Sequence, residues 1–94
     1  MYDDETIRRI EAFRFRRAPV AAAWRKKGYT LLHAKTGHPI ARLRPLGRDD
    51  LLEIFYWSSW KQRWMPAGPF GRAAAPIDEA LRIIAGEPIF WAGV

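Results

Sequence analysis

The residues best suited to chemistry in this chain are tryptophans with cations set between them. Trp57, Trp60 and Trp64 fall in one short stretch with Lys61 and Arg63 interleaved, and Arg42 and Arg44 precede them at alternate positions. Sheet surfaces that hold single-stranded nucleic acid combine aromatic rings that stack on bases with Arg and Lys that meet the backbone. The competing use of the rings is burial. A small chain needs its large aromatics for a core, which would place Trp57 and Trp64 inside and leave only Trp60, at a turn, in water. Arg14, Arg16, Arg17, Lys26 and Lys27 are further cations that an anion-binding surface could recruit.

Other chemistries find less support. His33 and His38 are the only histidines, and with scattered carboxylates they do not form the three- or four-ligand spacing of a metal site. Ser58 and Ser59 are the only serines; nothing around them resembles a nucleophile elbow, and they read as turn residues. Gly68, Pro69 and Gly71 read as a rigid turn and lack the pattern of a phosphate-cradling loop. Asp49, Asp50 and Glu53 could in principle hold magnesium, but no second acid or lysine follows at a nuclease-like spacing. No catalytic residue, metal or cofactor is expected.

Charge is divided unevenly. The net charge is +6, yet residues 1–48 hold 12 Lys+Arg against 4 Asp+Glu, while residues 49–94 hold 4 against 6. A basic half attracts polyanions by steering, and it also simply keeps a small protein dispersed. The 49% hydrophobic and 28% charged fractions exclude wholesale disorder. No apolar run reaches the roughly 18–20 residues that a membrane helix needs. The first residues, MYDDETIRR, are acidic before they are basic, the wrong order for a secretory signal. With no cysteine there is no disulfide framework. A cytoplasmic protein is expected, folded as one domain over residues 1–94.

The elements that must position the tryptophans can be read in order. Asp3 or Asp4 can cap a helix, and Ile7, Ile10 and Phe13 recur on one face with the arginines largely off it, predicting a helix over about 4–17 that Pro19 closes. A hairpin is expected from 20–26 and 29–34, turning at Lys26–Lys27–Gly28, although alanines leave a helix open for 20–26. After a turn at Lys35–Pro39, Ile40–Arg44 forms a short strand. Leu51–Trp57 is apolar at nearly every position and reads as a central strand, with Leu51, Glu53, Phe55 and Trp57 on one face and Leu52, Ile54 and Tyr56 on the other. Ser58–Gln62 turns into a returning strand, Arg63–Met65, and Pro66–Pro76 is a loop. Ile77, Ala80, Leu81 and Ile84 then mark a helix over about 76–85. The apolar tail, Glu87–Val94, should fold back on the core. The fold class is α+β: an antiparallel meander of about five strands packed with an N-terminal and a C-terminal helix.

This order of landmarks resembles a bacterial family of small proteins known only as a domain of unknown function. The resemblance spans about 11–93 and is carried by several short motifs. They are Arg17–Ala18–Pro19 after a basic helix, the hairpin Trp24–Tyr29, the segment PIARLR at 39–44, Tyr56–Trp57, Arg63–Trp64, and FWAG at 90–93. His33–Ala34–Lys35 departs from it, standing where an acidic residue is usual. The resemblance implies a fold and not an activity.

Three functional readings follow. The first is a non-catalytic module whose basic surface binds nucleic acid or an acidic partner. The second is an interaction or homodimerising domain anchored by exposed Trp60, Phe70 or Trp91. The third is a small basic ribonuclease, resembling toxins with an antiparallel sheet against helices, for which Arg42, Arg44, Lys61, Arg63 and Tyr56 are the candidates. The apolar tail counts against the third.

Overall fold

The computed structural model describes residues 2–68 and 73–94. Helix α1 (Asp4–Ala12) is followed by strands β1 (Val20–Arg25), β2 (Gly28–His33), β3 (Pro39–Pro45), β4 (Leu52–Ser58) and β5 (Arg63–Pro66). A short strand β6 (Ala74–Ala75), helix α2 (Ile77–Gly86) and a 3₁₀ turn (Pro88–Trp91) come last. The sheet is antiparallel, with β1 to β5 in meander order and β6 added to β4. This is the α+β arrangement that the sequence predicts.

Asp3 caps α1, its carboxylate accepting the Glu5 N–H at 3.1 Å. The helix stops at Ala12 and does not continue to 17. Phe13 is extended (φ −69°, ψ 136°), and the Phe13 and Phe15 rings lie 4.7 Å apart, with Phe15 a further 5.7 Å from Trp91. Residues two apart share a side of an extended chain but lie roughly 200° apart around a helix. Burying both rings on one core therefore unwinds the segment. Arg14, Arg16 and Arg17 fall on the exposed α1–β1 connection, and only Arg9 sits in the helix's last turn.

The alternation of β4 is as predicted. Leu52 and Ile54 are buried on the face that meets the helices, with Tyr56 packed beside them, while Glu53, Phe55 and Trp57 point the other way. Tyr29, Leu31, Ala41 and Leu43 continue the inner layer across β2 and β3, and Ile10, Ala80, Leu81, Ile84 and Phe90 close over it. Tyr29, 1% exposed, also accepts the Asp3 N–H on its phenol at 2.7 Å, tying the start of α1 to the sheet. A bulge at Leu31/Leu32 turns Ile40 into this core as well.

One expectation changes at the far edge of the sheet. Strand β4 is flanked on both sides, but β5 is an edge strand and pairs only with Phe55–Ser58. Proline has no N–H to extend a ladder, and β5 ends at Pro66. The rest of β4's edge pairs with β6, inside what reads in sequence as a featureless loop. Ile54 joins the two: its carbonyl accepts the Ala67 N–H and its N–H donates to the Ala73 carbonyl, both at 2.9 Å.

Helix α2 carries the expected apolar positions inward, with Pro76 just ahead of its first turn. The tail folds back as predicted. Trp91 is only 7% exposed, and its indole N–H donates to the Ile84 carbonyl at 2.8 Å. Trp91 is therefore a core residue and not an exposed anchor; an apolar ring with its one donor satisfied loses nothing by leaving water. Phe70 lies outside the described residues. No helix among those described is long and apolar enough to cross a membrane.

Candidate functional site

Both helices and the tail pack on one face of the sheet; among the described residues the other face carries no covering element. Strand alternation decides what that open face displays. From the pairing register it holds Ala21, Ala23 and Arg25 of β1, Thr30 and Leu32 of β2, Arg42 and Arg44 of β3, Glu53, Phe55 and Trp57 of β4, and Trp64 of β5. Trp57 and Trp64 stand directly opposite one another, edge to face, with ring centroids 5.3 Å apart and planes at 74°. They are half-buried against each other and remain on the surface, so they do not belong to the core beneath the helices.

Arg42 sits opposite Phe55 in the register, and its guanidinium lies 6.0 Å from the ring centroid; that of Arg44 lies 5.4 Å away. Arg44 is also paired with Glu53 across the ladder, the one carboxylate among the described strand residues of this face. Arg42 instead reaches over Gly28 and donates to the Lys26 carbonyl. A Cβ on Gly28 would fall 2.8 Å from the Arg42 Nε, so the glycine provides the slot through which that side chain passes. Burial, and next the neighbouring Arg44, lower the Arg42 pKa from its ordinary value, yet a guanidinium stays charged far above neutral pH.

The Lys26–Lys27 turn has both central residues at positive φ, 49° and 63°. That is the requirement of a type I′ hairpin turn, which Asn-Gly meets more cheaply than two lysines. The strain places a cation, Lys26, at the rim of a shallow groove of about 340 Å³. Its lining includes the cations Arg25, Lys26 and Arg42 together with Trp57, Trp64 and Leu32. The arrangement offers ring faces for a flat, stackable group and donors for an anion within one concavity.

Opposite charge collects elsewhere. A second cleft, of about 600 Å³, lies between the starts of α1 and α2 and is lined by Asp3, Glu5, Asp49, Asp50 and Asp78, with Arg9 and Arg48. The sign of this cleft is opposite to that of the groove on the open sheet face.

The structure thus brings together Lys26, Arg42, Arg44, Trp57 and Trp64 of the predicted set. Lys27 is exposed in the same turn as Lys26. Trp60 and Lys61 occupy the β4–β5 tip, where Trp60 is 91% exposed. Arg63 pairs with Ser58, and alternation turns it to the face opposite Trp64. Arg14, Arg16 and Arg17 flank Phe15, which packs on the covered side, so they do not join the groove. Arg25 was missed in the sequence; strand alternation beside Trp24, which packs inward, turns it outward.

The ribonuclease set is divided between the two faces, with Arg42 and Arg44 on the open one and Tyr56 and Arg63 on the other. Of the histidines, His33 accepts the Lys35 and Thr36 N–H groups on Nδ1, at 3.1 and 3.3 Å, and so organises its own turn. Asp49 and Asp50 shape the β3–β4 turn at positive φ, while Glu53 serves Arg44. Ser58 accepts the Lys61 N–H at 3.1 Å as a turn residue should. No group of three or more His, Asp or Glu among the described residues is placed to hold a metal ion. Comparison with family models, curated proteins and solved structures gave no match, so the functional reading rests on this geometry.

Proposed function

We propose that the chain is a non-catalytic binding module that holds single-stranded nucleic acid on the open face of its sheet. The observation that carries this reading is the shared groove of the Trp57–Trp64 pair and Arg42, with Lys26 and Arg25 at its rim. Unpaired bases stack on indole faces irrespective of sequence, and each such contact contributes about 1–3 kcal/mol. Phosphates supply the partners for the guanidinium and ammonium groups. A duplex keeps its bases stacked inside, so it could use only the cations. An acidic protein is drawn by the same charges but offers carboxylates and not flat rings, which leaves the tryptophan pair unused. The cysteine-free, basic chain fits a cytoplasmic setting, where RNA is abundant.

Tryptophan fluorescence, titrated with single-stranded and duplex oligonucleotides at two ionic strengths, tests the reading. Single strands should quench the signal and bind more tightly than duplex. Affinity should fall with salt at a logarithmic slope of about −0.7 for each phosphate contacted. No binding of single strands at low salt, or a preference for duplex, would overturn the proposal. A second reading, self-association, is favoured by one observation, the water-exposed indole of Trp60. Light scattering distinguishes it: a dimer that Trp60→Ala returns to monomer supports it, and a monomer at all concentrations rejects it.

A further inference from the structure

The β4–β5 tip presents a side chain that the groove does not use. Trp60 is 91% exposed, in a protein whose other tryptophans are all at least half covered. The tip is not slack: the Lys61 N–H donates to the Ser58 hydroxyl at 3.1 Å, and the Gln62 side-chain amide donates to the Ser59 carbonyl at 2.7 Å. Gln62 adopts a positive φ of 53° to close the turn. The turn thus orders the backbone that carries the water-exposed indole, with Lys61 next in the chain, at the end of the same hairpin whose strands carry Trp57 and Trp64. Trp60 follows Trp57 by three residues, and at about 3.3 Å per extended residue the chain between them reaches at most roughly 10 Å. That separation suits one or two nucleotides of an extended strand.

We propose that Trp60 and Lys61 form a second stacking subsite for single-stranded nucleic acid, which takes up the ligand where it leaves the sheet groove. This rests on the groove reading above and extends it. In the extended site, one or more bases lie against Trp57 and Trp64, the chain passes along the hairpin, and a further base covers the Trp60 ring while Lys61 meets its phosphate. An isolated indole gains from any flat partner that removes it from water, and charge complementarity selects a polyanion over a neutral surface.

The test is a length series. Oligothymidylates of two to about twelve nucleotides are titrated against the native chain, Trp60→Ala and Lys61→Ala by fluorescence anisotropy of a labelled oligonucleotide. The expected result is that Trp60→Ala leaves the shortest ligands unaffected but weakens the longer ones about 5- to 150-fold. Lys61→Ala should lower the salt slope for the longer ligands only. A merely structural role for Trp60 would weaken all lengths alike, and that outcome overturns the subsite. Equal affinity of native and Trp60→Ala chains at every length overturns it too, while leaving the groove reading intact. Failure of every length to bind the native chain removes the groove reading itself. A change of mass in light scattering on Trp60→Ala, with binding unaltered, assigns the ring to protein contact and also overturns the subsite.

Discussion

The two faces of the sheet are made from alternate residues of the same strands, yet they are held together by different forces. The inner face, with Tyr29, Leu31, Leu43 and Ile54, is closed by α1, α2 and the 3₁₀ turn, and almost every ring and branch on it is removed from water. Its stability scales with apolar area, about 25 cal/mol per Å² buried. The outer face has no covering element among the described residues and answers with pairs: Trp57 on Trp64, Arg42 and Arg44 over Phe55, Arg44 with Glu53. Such pairs contribute about 0.5–1.5 kcal/mol each beyond area, and less for cations in water. The lesson is that one face supplies the folding energy, which leaves the other free to keep polarisable rings and unneutralised cations on show.

Substitutions can break or sharpen that contrast. The largest effect is expected on the inner face, where Ile54→Ala should cost about 2–5 kcal/mol in urea unfolding through the cavity it leaves. If oligonucleotide affinity of the folded fraction also fell, the division between the faces would not hold. On the outer face, Trp57→Ala, Trp64→Ala and the double variant form a cycle. Its coupling energy should be about 0.5–1.5 kcal/mol, while binding should be lost far out of proportion to stability. A coupling near zero would mean that the edge-to-face contact contributes nothing to the hairpin.

The turn allows a test with opposite signs. Lys26→Asn together with Lys27→Gly should raise stability by roughly 1 kcal/mol, because the pair fits positive φ at both positions. The same change should weaken polyanion binding, since two cations leave the rim. A joint rise in both quantities would show that the lysines do not serve the groove. The smallest effect on folding is expected for Gly28→Ala. Its new Cβ meets only the flexible end of Arg42, so the melting temperature should hardly move. Arg42 would nevertheless lose its place against the Lys26 carbonyl, and affinity should drop several-fold. Unchanged affinity would show that the fixed position of Arg42 does not matter.

Much of the architecture was legible in the chain because it follows from local pattern. Period-two alternation in Leu51–Trp57 named the inner and outer sets of β4 correctly, and the helical spacing of Ile77, Ala80, Leu81 and Ile84 located α2 within a residue at each end. The end of α1 was not legible. Ile7, Ile10 and Phe13 continue a helical stripe, and only the arrival of Trp91 from the far end of the chain makes an extended Phe13–Phe15 the better solution. Strand β6 was hidden for a similar reason: two alanines have no strand signature, and they pair because β5 stops short of β4's full edge.

The candidate site divides the same way. Aromatics and cations interleaved at alternate positions marked Arg42, Arg44, Trp57 and Trp64 without any coordinates. Which of the twelve basic or aromatic candidates would meet could not be read, because faces are set by pairing register and by which side the helices choose. That choice joined Arg25 and Lys26 to the tryptophan pair and dismissed Arg63 to the opposite side.

Local pattern was enough to give the order of the main strands and helices and the two-sided character of β4, since these depend on neighbours a few residues away. Which side of the sheet would be covered was settled by long-range packing. That decision required Phe15 to meet Trp91, and a contact between residues so distant in the chain is paid for by the burial of the whole core rather than by any local preference.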